Sequence, residues 1–428
     1  MSKVLVFCID ALCLSDVEEM KNMPHFGPFL KDAAVVGIEP IFPAVTYPCH
    51  TSILTGCTVK KHGIVSCEKI YRGGYFDMPW YREKEEVLVP TLLDLAREQG
   101  LTTCSLAWPV SGGADYDLNM PMYVPYEYTG WEPEKYLEGK ASAELMDRYF
   151  YKHGRYIKGP DRSLDLLTMA LALDILEDYP QPDIMLVKMC DLDGYRHELG
   201  VHHPRVSEQL RKHDQEFGSL LEALRRKGTL EDTNIIILGD HGMTDYQDIC
   251  HLNVLLRKNG FIRVNEEGKI ESFDALIHSC GLAAYVEMAN PEDREMHEKV
   301  RAFLESLKDD PEIMLDYVLD KEEADRLFGV DAFEFYIESK LPISFGNEYA
   351  PDSIWGSQQG LRDRNYGGDH GGSPKREEIT VFLAKGPNVR PVHLQHRHSM
   401  VDEAPTMARM LGFTMEDVDG TAIEEILV

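Results

Sequence analysis

The segment DIMLVKMCDLDGYRHELG (183–200) runs from an apolar stretch straight into a cluster of acidic and imidazole side chains. Its first half, DIMLVKMC (183–190), reads as a buried strand of a parallel sheet. Four other runs share that character: KVLVFCI (3–9), LTTCSLAW (101–108), NIIILG (234–239) and EITVFLA (378–384). Helical stretches lie between them. RSLDLLTMALALDILEDY (162–179) precedes the third run and PRVSEQLRKHDQEFGSLLEALRRKG (204–228) the fourth. In the latter, Val206, Leu210, Phe217, Leu221 and Leu224 recur at helical spacing, Pro204 suits the first turn and Gly228 the stop. Strands alternating with helices predict an α/β fold, with a mostly parallel central sheet covered by helices on both faces.

Two segments break the rhythm, about 68–160 and about 255–365. The first holds YRGGYFDMPWYRE (71–83), and the second adds at least one strand, AAYVEM (283–288). No Gly/Ser linker or low-complexity tract sets them apart, so both are expected as cap insertions over the one sheet of a single domain spanning 1–428. Composition allows a sizeable core, with 43% hydrophobic and 27% charged residues. The net charge of −29 argues against a nucleic-acid polymer or an anionic membrane surface as partner. No apolar stretch approaches the length of a membrane span. The opening MSKVLVFCIDAL lacks the pattern of a secretory leader, and the nine cysteines include no CxxC pair. A cytoplasmic protein with reduced thiols is the expectation.

The polar residues fall where α/β sheets bind ligands, at the carboxyl ends of strands. Asp10 follows the first run, Asp191 and Asp193 the third, and Asp240 and His241 the fourth. His197 stands four residues beyond Asp193, and His370 lies in GGDHGG (367–372) before the last run. A lone aspartate at such a position often caps the next helix. Three aspartates (10, 193, 240) with three histidines (197, 241, 370) form a donor set that suits zinc, and also manganese or iron. HLQHRH (393–398) follows a proline with no acidic neighbour in sequence and reads as a solvated loop.

FPAVTYPCHTSILTG (42–56) holds Thr46 between Pro43 and Pro48. Its hydroxyl has two readings, a helix N-cap or a nucleophile activated by a metal. Lys188 interrupts the apolar strand and also has two readings, a partner for a nearby carboxylate or a contact for an anionic substrate group.

PAVTYPCHTSILTG, DLDGYRHELG, GDHGM and GGDHGG stand in the order found in the alkaline phosphatase superfamily, and the chain resembles its nucleotide pyrophosphatase/phosphodiesterase branch. TGCTVKKHGI (55–64) and VDEAPTMARMLG (401–412) are similar to further segments of that branch. The resemblance implies an alkaline-phosphatase-like sandwich, two zinc ions and a small phosphorylated substrate such as a nucleotide. It implies that Asp10, Thr46, Asp240 and His241 hold one metal, that Asp193, His197 and His370 hold the other, and that Thr46 forms a phosphothreonine intermediate. Asp191 is left a structural role. The amides at the start of the Thr46 helix are expected to face the phosphoryl oxygens.

The sequence departs from the branch at Cys67, which stands about where an asparagine usually holds a phosphoryl oxygen; a thiol is a weak donor. Tyr47 and Trp80, with Tyr71, Tyr75 and Tyr81, are candidates to stack on a leaving group or nucleobase. A phosphodiesterase or nucleotide pyrophosphatase is therefore the leading expectation. A phosphomonoesterase or a phosphonate hydrolase of the phosphonoacetate type is the alternative, and a non-catalytic binding module is the alternative of another class. The oligomeric state is not legible.

Overall fold

Alternate residues of the first strand face two different cores, as the period of a strand requires. Val4, Val6 and Cys8 join one apolar cluster, and Leu5, Phe7 and Ile9 join another. The computed structural model describes residues 2–70, 79–122, 133–158, 163–356, 366–376 and 378–428. Eight strands form the central sheet, numbered here along the chain: β1 (Lys3–Ile9), β2 (Ala34–Glu39), β3 (Thr103–Trp108), β4 (Leu118–Pro121), β5 (Ile184–Met189), β6 (Thr233–Leu238), β7 (Thr380–Lys385) and β8 (His393–Ser399). Their spatial order is β8-β2-β7-β6-β1-β5-β3-β4. β1 sits between β5 and β6 and is parallel to both.

Helices cover both faces. Those that matter for the site are α1 (Thr46–Thr55), α2 (Leu164–Asp178), α3 (Asp191–Leu199), α4 (Pro204–Lys227) and α5 (Glu403–Leu411). Ile53 and Leu54 of α1 and Met407 and Ala408 of α5 fill the core on one face. Leu167 and Leu171 of α2 and Leu210 and Phe217 of α4 fill the other. The Phe217 ring lies 5.7 Å from that of Phe7 on β1, and burying it stabilises the fold by on the order of 2 kcal/mol. The expected helix boundaries hold at α4, where Pro204 opens the helix and Gly228 closes it at φ 77°.

Two sequence expectations need correction. EITVFLA was expected to run parallel with its neighbours, but β7 is antiparallel to both β2 and β6. The reason is where the chain comes from. His370 lies at the carboxyl edge of the sheet, only ten residues before Thr380, so the chain enters the sheet from that edge and runs the opposite way. HLQHRH was expected as a solvated loop, but it lies within β8, the edge strand paired with β2. Its side chains are largely exposed, so it lacks the apolar alternation of a half-buried strand.

The segment 255–365 contains its own four-stranded antiparallel sheet, built from Ala275–Ser279, Ala283–Met288, Leu315–Asp320 and Phe335–Ser339 over a separate apolar cluster. It reaches back to the main sheet where the amide of Leu282 donates to the carbonyl of His370 at 2.8 Å. The segment 68–160 supplies β3 and β4 to the central sheet itself. Tyr71 and Tyr75 lie outside the described residues. Among the described residues, no helix is long and apolar enough to cross a membrane.

Candidate metal centre

β1, β5 and β6 end side by side, and the residues that follow them converge. Asp10 directly follows β1, Asp193 lies in the first turn of α3 after β5, and Asp240 and His241 follow β6. Two triads result, Asp10–Asp240–His241 and Asp193–His197–His370, each with its ligand atoms within 4.8 Å of one another. The triads abut, because the rings of His241 and His370 stack at 3.8 Å between centroids. All six residues picked out from the sequence as metal-type donors are brought together here.

The three histidines are oriented in the same way. His241 Nδ1 donates to the carbonyl of Gly242, His197 Nδ1 to that of Gly368 and His370 Nδ1 to that of Ala44, each at 2.9 Å. With Nδ1 donating to a carbonyl, Nε2 of each ring faces the centre and offers its lone pair to a metal once it carries no proton of its own. That is the orientation a ligating imidazole needs. Two glycines allow the backbone to carry these rings. A Cβ at Gly242 would lie 1.6 Å from the carbonyl of Glu378, and one at Gly371, where φ is 93°, 1.6 Å from that of Cys280.

Opposite the rings are carboxylate oxygens without hydrogen-bond partners. Asp10 Oδ1, Asp193 Oδ1 and Asp240 Oδ2 are all buried and lack one. Each triad thus presents imidazole lone pairs and bare carboxylate oxygens to a shared point, which fits a divalent cation in each. The other oxygens are occupied: Asp240 Oδ1 accepts from the amide of Ala11 at 3.0 Å, and Asp10 Oδ2 from Lys188 Nζ at 2.6 Å.

Protonation follows from this crowding. Burial alone would raise the Asp10 carboxyl and Asp240 adds to that, but Lys188 and His241 together hold it below the usual range. Asp193 and Asp240 are also held low against their burial, chiefly by His197 and by His241 respectively. Burial would lower His241, yet Asp240 and Asp10 raise it to about 10. His370 moves the other way, lowered to about 4 by burial and by the neighbouring His241 and His197.

Thr46 is the first residue of α1, and its Oγ1 lies 3.1 Å from His241 Nε2. The hydroxyl makes no capping bond, and the N-cap position belongs to Val45. Cys67 lies beside Tyr47, its sulfur meeting that residue's amide, while burial first and then the charges of Glu68, Asp10 and Asp193 push the thiol up and keep it protonated. The start of α1 offers fewer amides than expected, since Pro48 has none and Cys49 donates its own to the carbonyl of Val45 at 3.0 Å. Tyr47 is buried edge-on against Trp80 at 5.4 Å, in one small apolar cluster that also takes in Cys67. Lys188 is fully buried, with Asp10 on one side and the Cys190 sulfur 3.1 Å away. The structure therefore places Lys188 behind a metal-type ligand, as the carboxylate-partner reading has it. Asp191 turns away to Ser163 at 3.0 Å.

Sequence reasoning passed over two residues. His50 Nδ1 lies 2.8 Å from the carbonyl of Thr46 and 3.2 Å from Asp240 Oδ2, tying the helix start to the centre. Its signal was available, because residues four apart share a helix face. Asp165 accepts from the amides of Cys190 at 2.6 Å and Asp191 at 3.0 Å, fixing the start of α3. No spacing in the sequence points to it.

Fold and site together fit the alkaline phosphatase superfamily. Residues 4–373 match the family described as type I phosphodiesterase / nucleotide pyrophosphatase, and the chain belongs to that family. It is 24% identical over 265 residues to ectonucleotide pyrophosphatase/phosphodiesterase 2 of Saccharomyces cerevisiae, covering 60% of this chain and 48% of the relative. It is 23% identical over 252 residues to human bis(5'-adenosyl)-triphosphatase ENPP4, covering 56% and 48%. The chain spans about half the length of these curated relatives. Its fold is similar to that of murine ectonucleotide pyrophosphatase/phosphodiesterase 5, with a TM-score of 0.65 at 19% identity over 100% of both chains. An inactive variant of that protein has been solved in complex with AMP, again with a TM-score of 0.65, at 18% identity over 100% of both chains.

Two outcomes are expected. His241 holds a proton below about pH 10 in the metal-free protein, so metal uptake must displace it. Apparent affinity then weakens as pH falls, by about tenfold per unit where this proton alone is exchanged; calorimetric titration across about pH 6 to 9 reads the slope. Lys188→Met leaves Asp10 charged and buried without its cation, which costs about 3–5 kcal/mol in chelated protein. Zinc restores much of that loss by supplying charge at the same carboxylate, and denaturant melts with and without zinc measure the difference.

Proposed function

We propose that this chain is a two-metal phosphodiesterase or nucleotide pyrophosphatase that works through a phosphothreonine intermediate on Thr46. The observation that carries the reading is the placement of Thr46 Oγ1 3.1 Å from His241 Nε2, at the junction of two triads with bare donor atoms. Asp10, Asp240, His241 and Thr46 would hold one zinc ion, and Asp193, His197 and His370 the other. When bound, the two ions supply positive charge to the phosphoryl oxygens and lower the pKa of the threonine hydroxyl.

The chain's own residues set the geometry. The His50 bond to the Thr46 carbonyl and the α1 backbone fix the direction of Oγ1. Oγ1 forms a bond to phosphorus as the ester oxygen opposite it leaves with the electron pair. Water then attacks the same phosphorus and returns the electron pair to Oγ1, releasing the phosphorylated product. Lys188 neutralises half the charge that Asp10 and Asp240 bring to the site, leaving the centre able to accept an anion. Trp80, half-buried and edge-on to the buried Tyr47, is the aromatic surface suited to a nucleobase or another planar group. The relatives named above for diadenosine triphosphate hydrolysis or solved with AMP support a nucleotide substrate. A phosphomonoester or a phosphonate of the phosphonoacetate type is the second reading, favoured by the thiol of Cys67 in place of an amide donor. The nine free thiols support a reducing compartment, the cytoplasm.

Zinc-loaded protein is expected to hydrolyse p-nitrophenyl thymidine monophosphate faster than p-nitrophenyl phosphate, and a chelator to abolish both activities. Preference for the monoester sinks the diesterase reading. Thr46→Ala is expected to remove at least about a thousandfold of the rate; wild-type turnover in that variant rules Thr46 out as nucleophile. Cys67→Asn, which installs a stronger donor beside the Tyr47 amide, is expected to raise kcat/KM for the diester roughly tenfold. An unchanged or lower value shows that Cys67 does not face the phosphoryl group.

A further inference from the structure

A second set of metal-type side chains lies on the far edge of the sheet, outside the catalytic centre. His396 and His398 stand two apart on β8 and so share a face of that strand. Glu425 joins them from the short turn Glu424–Ile426 near the end of the chain. His396 Nε2 lies 3.3 Å from Glu425 Oε1, and His398 Nε2 lies 3.8 Å from the same oxygen. The three ligand atoms fall within 4.8 Å of one another. Between this edge and β1 stand β2, β7 and β6, so no residue is shared with the two catalytic triads.

The local chemistry asks for a cation. Asp402 Oδ2 faces His398 Nδ1 at 3.3 Å and takes its proton in a hydrogen bond. Asp402 is itself held, with Oδ1 accepting from the amide of Thr421 at 2.8 Å and Oδ2 from that of Ser399 at 3.2 Å. The His398 ring is therefore oriented by a fixed carboxylate, the arrangement that supports ligating histidines in metal proteins. Its Nε2 is buried and has no hydrogen-bond partner. A neutral His398 turns that lone pair toward the Glu425 carboxylate, acceptor against acceptor. A divalent cation between them satisfies both, together with His396.

We propose that His396, His398 and Glu425 form a binding site for a borderline divalent transition metal of the zinc type, oriented by Asp402. Two imidazoles and one carboxylate are a zinc-type donor set, and they leave a fourth position open to water. The ion ties the edge strand to the terminal turn. That turn is already joined to the segment preceding β8 through the amide of Arg390, which donates to the carbonyl of Ile426 at 2.8 Å. The site thus clamps shut an exposed sheet edge.

The test compares full-length wild type with H396A/H398A and with E425A after equilibrium dialysis against zinc, reading metal per chain by mass spectrometry. Each variant is expected to retain one zinc fewer than wild type, with hydrolysis of p-nitrophenyl thymidine monophosphate unchanged. Equal zinc content in all three overturns the proposal. D402N keeps the three ligands and is expected to weaken zinc binding at this site about tenfold. Should the variants misfold, crystals of the wild type soaked in zinc decide: an anomalous peak among the three ligand atoms supports the site, and its absence there overturns it.

Discussion

Three carboxylates that are largely withdrawn from water at one edge of a sheet set the terms for the rest of this molecule. Asp10, Asp193 and Asp240 converge within one polar pocket, and like charges so close in a weakly screened interior repel strongly. The fold meets that repulsion with a buried ammonium at Lys188, with imidazoles aimed at the carboxylates and with room for cations. Lys188 is therefore less an intruder in an apolar strand than the counter-charge that lets Asp10 stay ionised there. The same crowding raises His241 and lowers His370, though the two rings stack on each other.

The scaffold makes this concentration of charge tolerable by holding the groups rigidly. β1, β5 and β6 are buried along their lengths and deliver their terminal residues to one edge. Backbone carbonyls at Gly242, Gly368 and Ala44 lock the histidine rings, and His50 anchors the helix that carries Thr46. Little reorganisation remains when a charged ligand arrives, and preorganised dipoles of this kind account for much of enzymatic rate enhancement. The antiparallel β7 belongs to the same logic. It starts near the edge where His370 sits, so a short connection leads into it and it runs opposite to its neighbours.

The edge histidines show how different two clusters of the same residue types can be. At the centre the donors are buried and fixed from several sides. At β8 they are partly exposed and fixed mainly through Asp402. In sequence both are short histidine-containing runs. Glu425, 27 residues beyond His398, is what changes the second run from solvated surface into a constellation.

The alternation of apolar strands and amphipathic helices, the aspartates at strand ends, and Thr46 between two prolines were legible from the chain itself. Strand-end placement and helical spacing are local properties, written within a few residues of the group concerned. The direction of β7, the strand character of HLQHRH, and the parts played by His50 and Asp165 were not legible, because each depends on what a distant segment brings to it. His50 shared a helix face with Thr46, but Asp240, whose carboxylate lies 3.2 Å from its ring, stands 190 residues further along the chain. Lys188 carried two readings until Asp10 was found 2.6 Å away. Spacing along a chain encodes which side chains share a face; which faces meet is decided only when the sheet closes, since long-range packing and burial choose the partners.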